Sequence, residues 1–316
     1  MSRAAPPVRE ARVRALAKIN LDLRVLGKRP DGYHELRTVF QTISLSDTIR
    51  IAFTPSRETR VELNDPLRIP GNLALQAAEL VLDAARTRGR VAIGLTKRIP
   101  MGAGLGGGSS DAAAVLLALP VLAGFALPLP RVCELAAALG SDVPFFLLGG
   151  TAAGVGRGGE LFPLPDRPSP AALLVAPGLH VSTPEAYRRL SPRLTTESQQ
   201  NKIFSFQSLA WDGGVSKAAC NDFEAVVFQQ YPQLARLKRR LQKAGAFQVL
   251  MTGSGSAIFG LFRTDAEACR ARSGLAGENA LRISLVTRAR YRSLWWRALG
   301  QHIDQKIWPP RSRYAR

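Results

Sequence analysis

Five of the seven residues from Gly102 to Gly108 are glycine. The stretch reads Pro100-Met101-Gly102-Ala103-Gly104-Leu105-Gly106-Gly107-Gly108-Ser109-Ser110-Asp111. A strand-like segment, Val91–Thr96, leads into it, and helical spacing follows from about Ser110 to Leu119. Without Cβ atoms, these residues let the backbone turn inward and approach a ligand closely. At a helix N-terminus the free N–H groups and the helix dipole form an anion site suited to phosphate. Ser109 and Ser110 add hydroxyls within reach of a phosphate oxygen or a metal ion. A flexible glycine turn without a ligand is the alternative reading of the same residues.

Other phosphate loops are excluded on spacing. Gly102-x-Gly104-x-x-Gly107 satisfies the bare dinucleotide string, but the acid expected about 20 residues later is missing from Val121–Ala126. No Gly-Lys-Ser/Thr follows, so this is not a Walker loop. The catalytic-loop and metal-binding motifs of protein kinases are also lacking.

Residues 12–26 alternate between apolar and polar. Val13, Ala15, Ala17, Ile19, Leu21, Leu23 and Val25 form one set, with Arg12, Arg14, Lys18, Asn20, Asp22 and Arg24 opposite. Period-2 patterning of this kind predicts a half-buried strand. Arg29-Pro30-Asp31-Gly32 supplies turn chemistry. Strands at Glu35–Leu45, Thr48–Phe53 and Arg60–Leu63 then suggest an antiparallel meander. A helix is predicted over Asn72–Ala85, with Asn72 as N-cap, and another over Pro130–Leu139.

After Gly149-Gly150 the pattern restarts. Strands are expected at Ala172–Ala176, Gln248–Met251, Ala257–Phe262 and Arg282–Val286. Helices are expected at Thr183–Leu190, Asn221–Gln230, Leu234–Ala244 and Asp265–Arg272, with an irregular excursion from Thr195 to Gly214. The class is α+β, with a seam near residues 150–165, and 316 residues accommodate two domains.

The 43 Lys and Arg against 24 Asp and Glu give a net charge of +19. That balance attracts anions in general: nucleic acid, acidic membranes or phosphorylated small molecules. The basic residues are scattered, and no aromatic nucleic-acid signature accompanies them, so no specific nucleic-acid partner is expected. The longest apolar run, Ala112 to Leu129, is broken by Pro120 and Gly124 and is too short to span a bilayer. No membrane partner is expected, and the N-terminal residues lack the apolar core of a secretory signal. A cytoplasmic protein is expected, its three scattered cysteines reduced and mostly buried.

Joined to two further motifs, the loop resembles the second of three motifs shared by the galactose, homoserine, mevalonate and phosphomevalonate kinases. The strand carrying Lys18 and Asn20 resembles the first motif, and Met251-Thr-Gly-Ser-Gly-Ser-Ala257 the third. More specific matches are Ala17-Lys-Ile-Asn-Leu21, Gly27-Lys-Arg-Pro-Asp-Gly-Tyr-His34, Gly140-Ser-Asp-Val-Pro-Phe145 and Asn221-Asp-Phe-Glu224. The resemblance runs from about residue 13 to residue 290.

It implies an N-terminal ATP-binding domain over residues 1–155, like a ribosomal-protein domain in fold. A C-terminal α/β-sandwich domain on the substrate side, 156–290, and a basic tail, 291–316, follow. The active site would lie in the cleft between the domains, with ATP and Mg2+ as cofactors. The acceptor would be a cytidine-diphosphate-linked polyol, and the protein a monomer or homodimer.

Taken alone, Asp142 reads as the cap of a helix starting at Val143 or Pro144; the resemblance makes it the general base. Lys18, alone a solvated lysine, would stand against Asp142 and the substrate hydroxyl and offset charge on the transferred group. Asn20 would touch the substrate. Tyr33 and His34 would stack on and hydrogen-bond to the cytosine, with Tyr187 as a second aromatic wall or a helix-packing residue. Gly253, Ser254 and Gly255 would form a supporting glycine turn beside the loop. Asp111 is left open between a first-turn helix carboxylate and a metal-associated group, and the metal ligands are not identified. A related acceptor, or RNA binding on the ribosomal-protein-like fold, are the competing readings.

Overall fold

The structure, a computed structural model, describes residues 7–166, 170–194, 206–207 and 219–315. Two sheets organise it. The first is built from β1 (Arg9–Lys28), β2 (His34–Pro55), β3 (Arg60–Asn64), β4 (Gly89–Thr96), β5 (Thr151–Gly156) and β6 (Glu160–Pro163). The expected meander is corrected in two places. The segments 35–45 and 48–53 form one long strand, β2, which pairs with β1 over nearly its whole length. β3 runs parallel, not antiparallel, to β4. The helix α1 (Leu73–Ala84) intervenes between these two strands and forms the crossover that a parallel pair requires.

α1, α2 (Gly107–Ala123), α3 (Leu129–Leu139) and α4 (Val143–Leu148) share a large apolar core with the first sheet. Ser110 through Leu122 of α2 are all buried, which explains why that helix is apolar on every side. Asn72 caps α1 as expected, its side chain accepting from the Ala74 N–H at 3.0 Å.

The second sheet, ordered β10-β7-β9-β8, is antiparallel: β7 (Ala171–Val175), β8 (Gln248–Met251), β9 (Ile258–Phe262) and β10 (Ala280–Ser284). The helices α5 (Thr183–Leu190), α6 (Glu224–Gln230), α7 (Pro232–Lys243) and α8 (Asp265–Ser273) accompany it. The excursion expected from Thr195 to Gly214 lies outside the described residues apart from Phe206 and Gln207.

β1 is half-buried as expected through Arg14, with Arg12 and Arg14 exposed, but from Ala15 to Leu26 it is buried on both faces. Lys18, Asn20, Asp22 and Arg24 are as inaccessible as the apolar residues between them. Register shifts at Leu16/Lys18, Asn20/Asp22 and Val25/Gly27 re-aim the side chains along the strand. Val13 and Ala15 therefore join the helical core of the first domain. Ala17, Ile19 and Leu21 pack with Leu174, Leu250 and Phe259 in a core shared by the two sheets. Leu23 and Val25 belong to the core of the second domain. Lys18, Asn20, Asp22 and Arg24 meet protein rather than water, and the strand is bonded to the second domain here: the Leu23 N–H donates to Cys220 O at 2.8 Å, and Asp22 accepts from the Cys220 N–H at 2.8 Å.

The expected basic tail is folded. α9 (Arg288–Ala298) and the segment after it bring Tyr291, Trp295, Leu299 and Ile303 into the first core. These spaced apolar residues, set among arginines, supply the buried face. The cysteines are not mostly buried: Cys133 and Cys269 are exposed and Cys220 is half-buried, and none is bonded to another cysteine. Among the described residues no helix is long and apolar enough to cross a membrane.

Candidate active site

β1 delivers Lys18 and Asn20 to the base of a cleft of about 820 Å³ between the two sheets. Lys18 is buried, and its ammonium donates to Asn20 Oδ1 at 2.8 Å and lies 3.3 Å from Asp142 Oδ2. Asp142 occupies the N-cap position of α4, yet its side chain makes no cap hydrogen bond. The carboxylate instead reaches Lys18 and remains about a third exposed, facing the cleft.

Asn20 is the hub that joins the first and third motifs. Its Oδ1 accepts from Lys18 and from the Gly253 N–H at 2.9 Å, and its backbone N–H donates to Thr252 Oγ1 at 3.1 Å, which leaves the Thr252 hydroxyl proton for Gly104 O. Its Nδ2 donates to Thr38 Oγ1 at 2.7 Å, and Thr38 Oγ1 donates in turn to Asp22 O at 2.7 Å. Each polar atom of the amide has a protein partner, so Asn20 positions Lys18 and the glycine turn. Thr252 and Thr38 were given no role in the sequence: Thr252 stands inside the third motif, and Thr38 lies on the strand paired with β1.

The glycine loop crosses the third motif at close range. A Cβ on Gly104 would lie 2.1 Å from Thr252 O, and one on Gly253 would lie 3.0 Å from Gly104 Cα. Gly104 also sits at φ 76°, in the left-handed region. Gly106 is confined by the Phe146 ring and by Lys18 Cγ. Asn221 completes the turn by donating to Met251 O at 2.7 Å and Gly253 O at 2.8 Å. Ser254 shares a 2.7 Å hydrogen bond with Thr183. Gly255 continues the turn at φ 98°, with a Cβ there meeting Met251 Sδ at 2.8 Å.

A second cavity of about 400 Å³ runs along the outer side of the loop, lined by Pro100 through Ser109 together with Asn72, Lys97 and Asp111. Ser109 lines both cavities. Ser110 does not: its hydroxyl is buried and donates to Leu16 O at 2.7 Å, tying the helix start to β1. Beneath the loop Lys97 bridges Asp47 and Asp111, and Asp47 also accepts from the Arg98 and Ile99 N–H groups. One ammonium serves two buried carboxylates. Burial, resisted by Lys97 and reinforced by Asp47, pushes Asp111 up to about 7.

At the opposite end of the large cleft His34 stacks on Tyr187 with ring centroids 4.5 Å apart, and its Nε2 is 2.7 Å from Ser191 Oγ. Tyr187 meets Phe223 edge-on at 4.8 Å. Burial, then the charge of Asp142, push the Tyr187 phenol up to about 12. His34 is held below the usual imidazole range by burial and by Lys28. Tyr33 is half exposed, and the Arg157 guanidinium lies 3.4 Å from its ring centroid. Lys28, Arg157 and Arg188 line this end and make it cationic. Arg157 carried no signal in the sequence, and Phe223 stood inside the Asn221–Glu224 match without a role.

The arrangement places a phosphate-type loop, a lysine–carboxylate pair and a basic aromatic end around one cleft. Such an arrangement suits transfer of an anionic group. Known proteins agree with that geometry. Residues 72–150 match the model for the GHMP kinases N terminal domain, and residues 212–279 that for GHMP kinases C terminal. The chain is 64% identical to 4-diphosphocytidyl-2-C-methyl-D-erythritol kinase of Solibacter usitatus over 310 residues, 97% of this chain and 98% of that protein. It is 41% identical to the protein of the same name from Geobacillus sp., covering 84% and 92%. A crystal structure of 4-(cytidine 5'-diphospho)-2C-methyl-D-erythritol kinase superposes with TM-score 0.72 at 41% identity, covering 87% of this chain and 98% of that one. A homoserine kinase from Cytophaga hutchinsonii shares the fold, with TM-score 0.71 at 19% identity over 89% and 96% of the two chains.

Proposed function

The chain belongs to the GHMP kinases, among the 4-diphosphocytidyl-2-C-methyl-D-erythritol kinases, and we propose that it phosphorylates the 2-hydroxyl of 4-diphosphocytidyl-2-C-methyl-D-erythritol. That step belongs to non-mevalonate isoprenoid precursor synthesis. The observation that carries the proposal is the Lys18–Asp142 pair, 3.3 Å apart at the base of a cleft lined by Gly104, Gly106 and Ser109.

Asp142 accepts the proton of the acceptor hydroxyl as its oxygen attacks the γ-phosphorus of ATP. The bond from that phosphorus to the β,γ-bridging oxygen breaks, and ADP leaves. Lys18 orients the carboxylate and offsets charge on the transferred group. The loop N–H groups at the start of α2 bind the phosphates. Tyr33, His34 and Tyr187 take the cytosine, which requires the His34–Tyr187 stack to open or to present its free face. Lys28 and Arg157 face the substrate diphosphate.

Mg2+ completes the proposal. Among the described residues no cluster of three His, Cys, Asp or Glu side chains is placed to hold a metal. That donor set suits an ion carried in by the triphosphate, which needs few protein oxygens. Ser109, the loop hydroxyl that lines both cavities, is the protein oxygen assigned to it. When bound, the ion neutralises phosphate charge. A cytoplasmic monomer or homodimer is part of the same reading, and the net charge of +19 favours encounter with two polyanionic substrates.

The test is ADP release with ATP, Mg2+ and a panel of this cytidylated acceptor, mevalonate, homoserine and galactose. Turnover confined to the cytidylated acceptor and lost in Asp142→Asn is the expected result. Turnover with another acceptor would discard the roles given to Tyr33 and His34, and near wild-type turnover in Asp142→Asn would discard the base.

A further inference from the structure

α4 is only six residues long and buried from Val143 to Leu147, and it carries Asp142 at its N-terminal end. A helix of that length cannot hold itself in place, since nucleation alone is unfavourable. Its last carbonyls also lack intrahelical donors. The C-terminal segment supplies those donors. Tyr291 Oη donates to Phe146 O at 2.5 Å, and Trp308 Nε1 donates to Leu147 O at 2.9 Å. Tyr291 lies against the Cα of Gly149, where a Cβ would come 2.3 Å from its ring. Tyr291, Trp295 and Trp308 pack edge-on with centroids 6.1–6.4 Å apart.

On its other side α4 touches the reacting groups. Phe145 packs on Phe40 at 4.9 Å, and the Phe40 ring lies 5.4 Å from Lys18 Nζ. The Phe146 ring faces Gly106 of the phosphate loop. Displacement of α4 along its axis therefore carries Asp142 with it and shifts Phe145 against Phe40, beside Lys18, and Phe146 against Gly106 of the loop.

We infer that Tyr291 and Trp308 are positioning residues for the general base, acting through the two α4 carbonyls that they hold. The inference rests on the reading of Asp142 as the base. It gives the C-terminal segment, 288–315, a part in turnover that its arginines do not suggest.

The same segment provides the control. Ser312 Oγ donates to Val121 O at 2.7 Å, a hydrogen bond of similar kind to the end of α2, away from Asp142. The experiment compares Tyr291→Phe, Trp308→Phe and Ser312→Ala in the full chain. It reads kcat, the KM of each substrate, the melting temperature, and backbone hydrogen exchange across residues 143–149. A misplacement of about 1 Å costs on the order of a hundredfold, and loss of one of two anchors is expected to lower kcat about tenfold. In both aromatic variants the KM values should stay within about twofold, and exchange in α4 should quicken. Ser312→Ala should lower the melting temperature while leaving kcat within about twofold.

Equal kcat losses in all three variants would reduce the segment to general stability and overturn the inference. So would full kcat in both aromatic variants. If Tyr291→Phe does not fold, Trp308→Phe decides alone. The premise fails separately, through an active Asp142→Asn; an inactive Asp142→Asn beside a fully active Tyr291→Phe condemns the positioning role only.

Discussion

Gly104→Ala tests the crossing of the two glycine motifs. Gly104 has φ 76°, and a Cβ there would sit 2.1 Å from Thr252 O and 2.9 Å from Thr252 C. A non-glycine residue in the left-handed region costs about 1–2 kcal/mol. An ordinary contact to that oxygen needs over 3 Å or so, which separates the two backbones by about 1 Å. Two hydrogen bonds span this crossing, Thr252 Oγ1 to Gly104 O and the Ala257 N–H to Ala103 O, both 3.2 Å. Losing them adds roughly 0.5–1.5 kcal/mol each, so the substitution should destabilise by about 2–5 kcal/mol in denaturant unfolding. The loop is displaced at the phosphate end, so kcat should fall about a hundredfold. Gly178→Ala separates the two causes, because Gly178 has φ 72° with nothing within 4 Å of its Cβ position. It should lose only the backbone component and keep full turnover. Gly104→Ala matching Gly178→Ala in both stability and turnover would refute the close-approach argument.

Three further outcomes follow from the same geometry. Lys97→Met leaves Asp47 and Asp111 buried without their shared cation and should cost about 3–5 kcal/mol, read as a lowered denaturation midpoint that ATP restores only in part. Asn221→Ala leaves two turn carbonyls and the Phe223 N–H without partners; a loss of about 2–4 kcal/mol is expected, and a change under about 0.5 kcal/mol would show the turn to be held by other contacts. His34 lies below its usual range through burial and Lys28, so it stays neutral at and above about pH 6.5. The KM for the cytidylated acceptor should be flat from about pH 8 to 6.5 and rise only at lower pH, and His34→Gln should remove that rise.

Much of the site was legible because its chemistry depends on residue type at fixed spacing. Glycines at 102, 104 and 106 all take positive φ, and no other residue type meets that need as cheaply. Asn72 announced its cap, and the helix expected over Thr183–Leu190 has those bounds. What escaped was set by partners distant in sequence. β5 and β6 went unread, and of α4 only the start near Val143 was legible: β5 is rich in glycine and alanine, β6 has four residues and α4 has six. Segments so short or so small in side chain take their structure from the elements that cover them.

The reading of β1 shows why composition misleads at a cleft. Alternation reports only that two faces differ in polarity; it does not report whether the polar face meets water or a second domain. Had Lys18, Asn20, Asp22 and Arg24 met water, none would need a dedicated partner. Instead Asp22 pairs with Arg24 at 2.8 Å and with the Cys220 N–H, while Lys18 and Asn20 take each other, Asp142, Thr252 and Gly253. Burying four polar side chains is tolerable only when their hydrogen bonds are made, and here the partners come from β1 itself, from Thr38 and Asp142 of the first domain, and from Cys220, Thr252 and Gly253 of the second. The same bonds that make burial of β1 possible therefore fix the distance between the phosphate loop and the glycine turn. In this chain, closing the domains together and building the active site are one event.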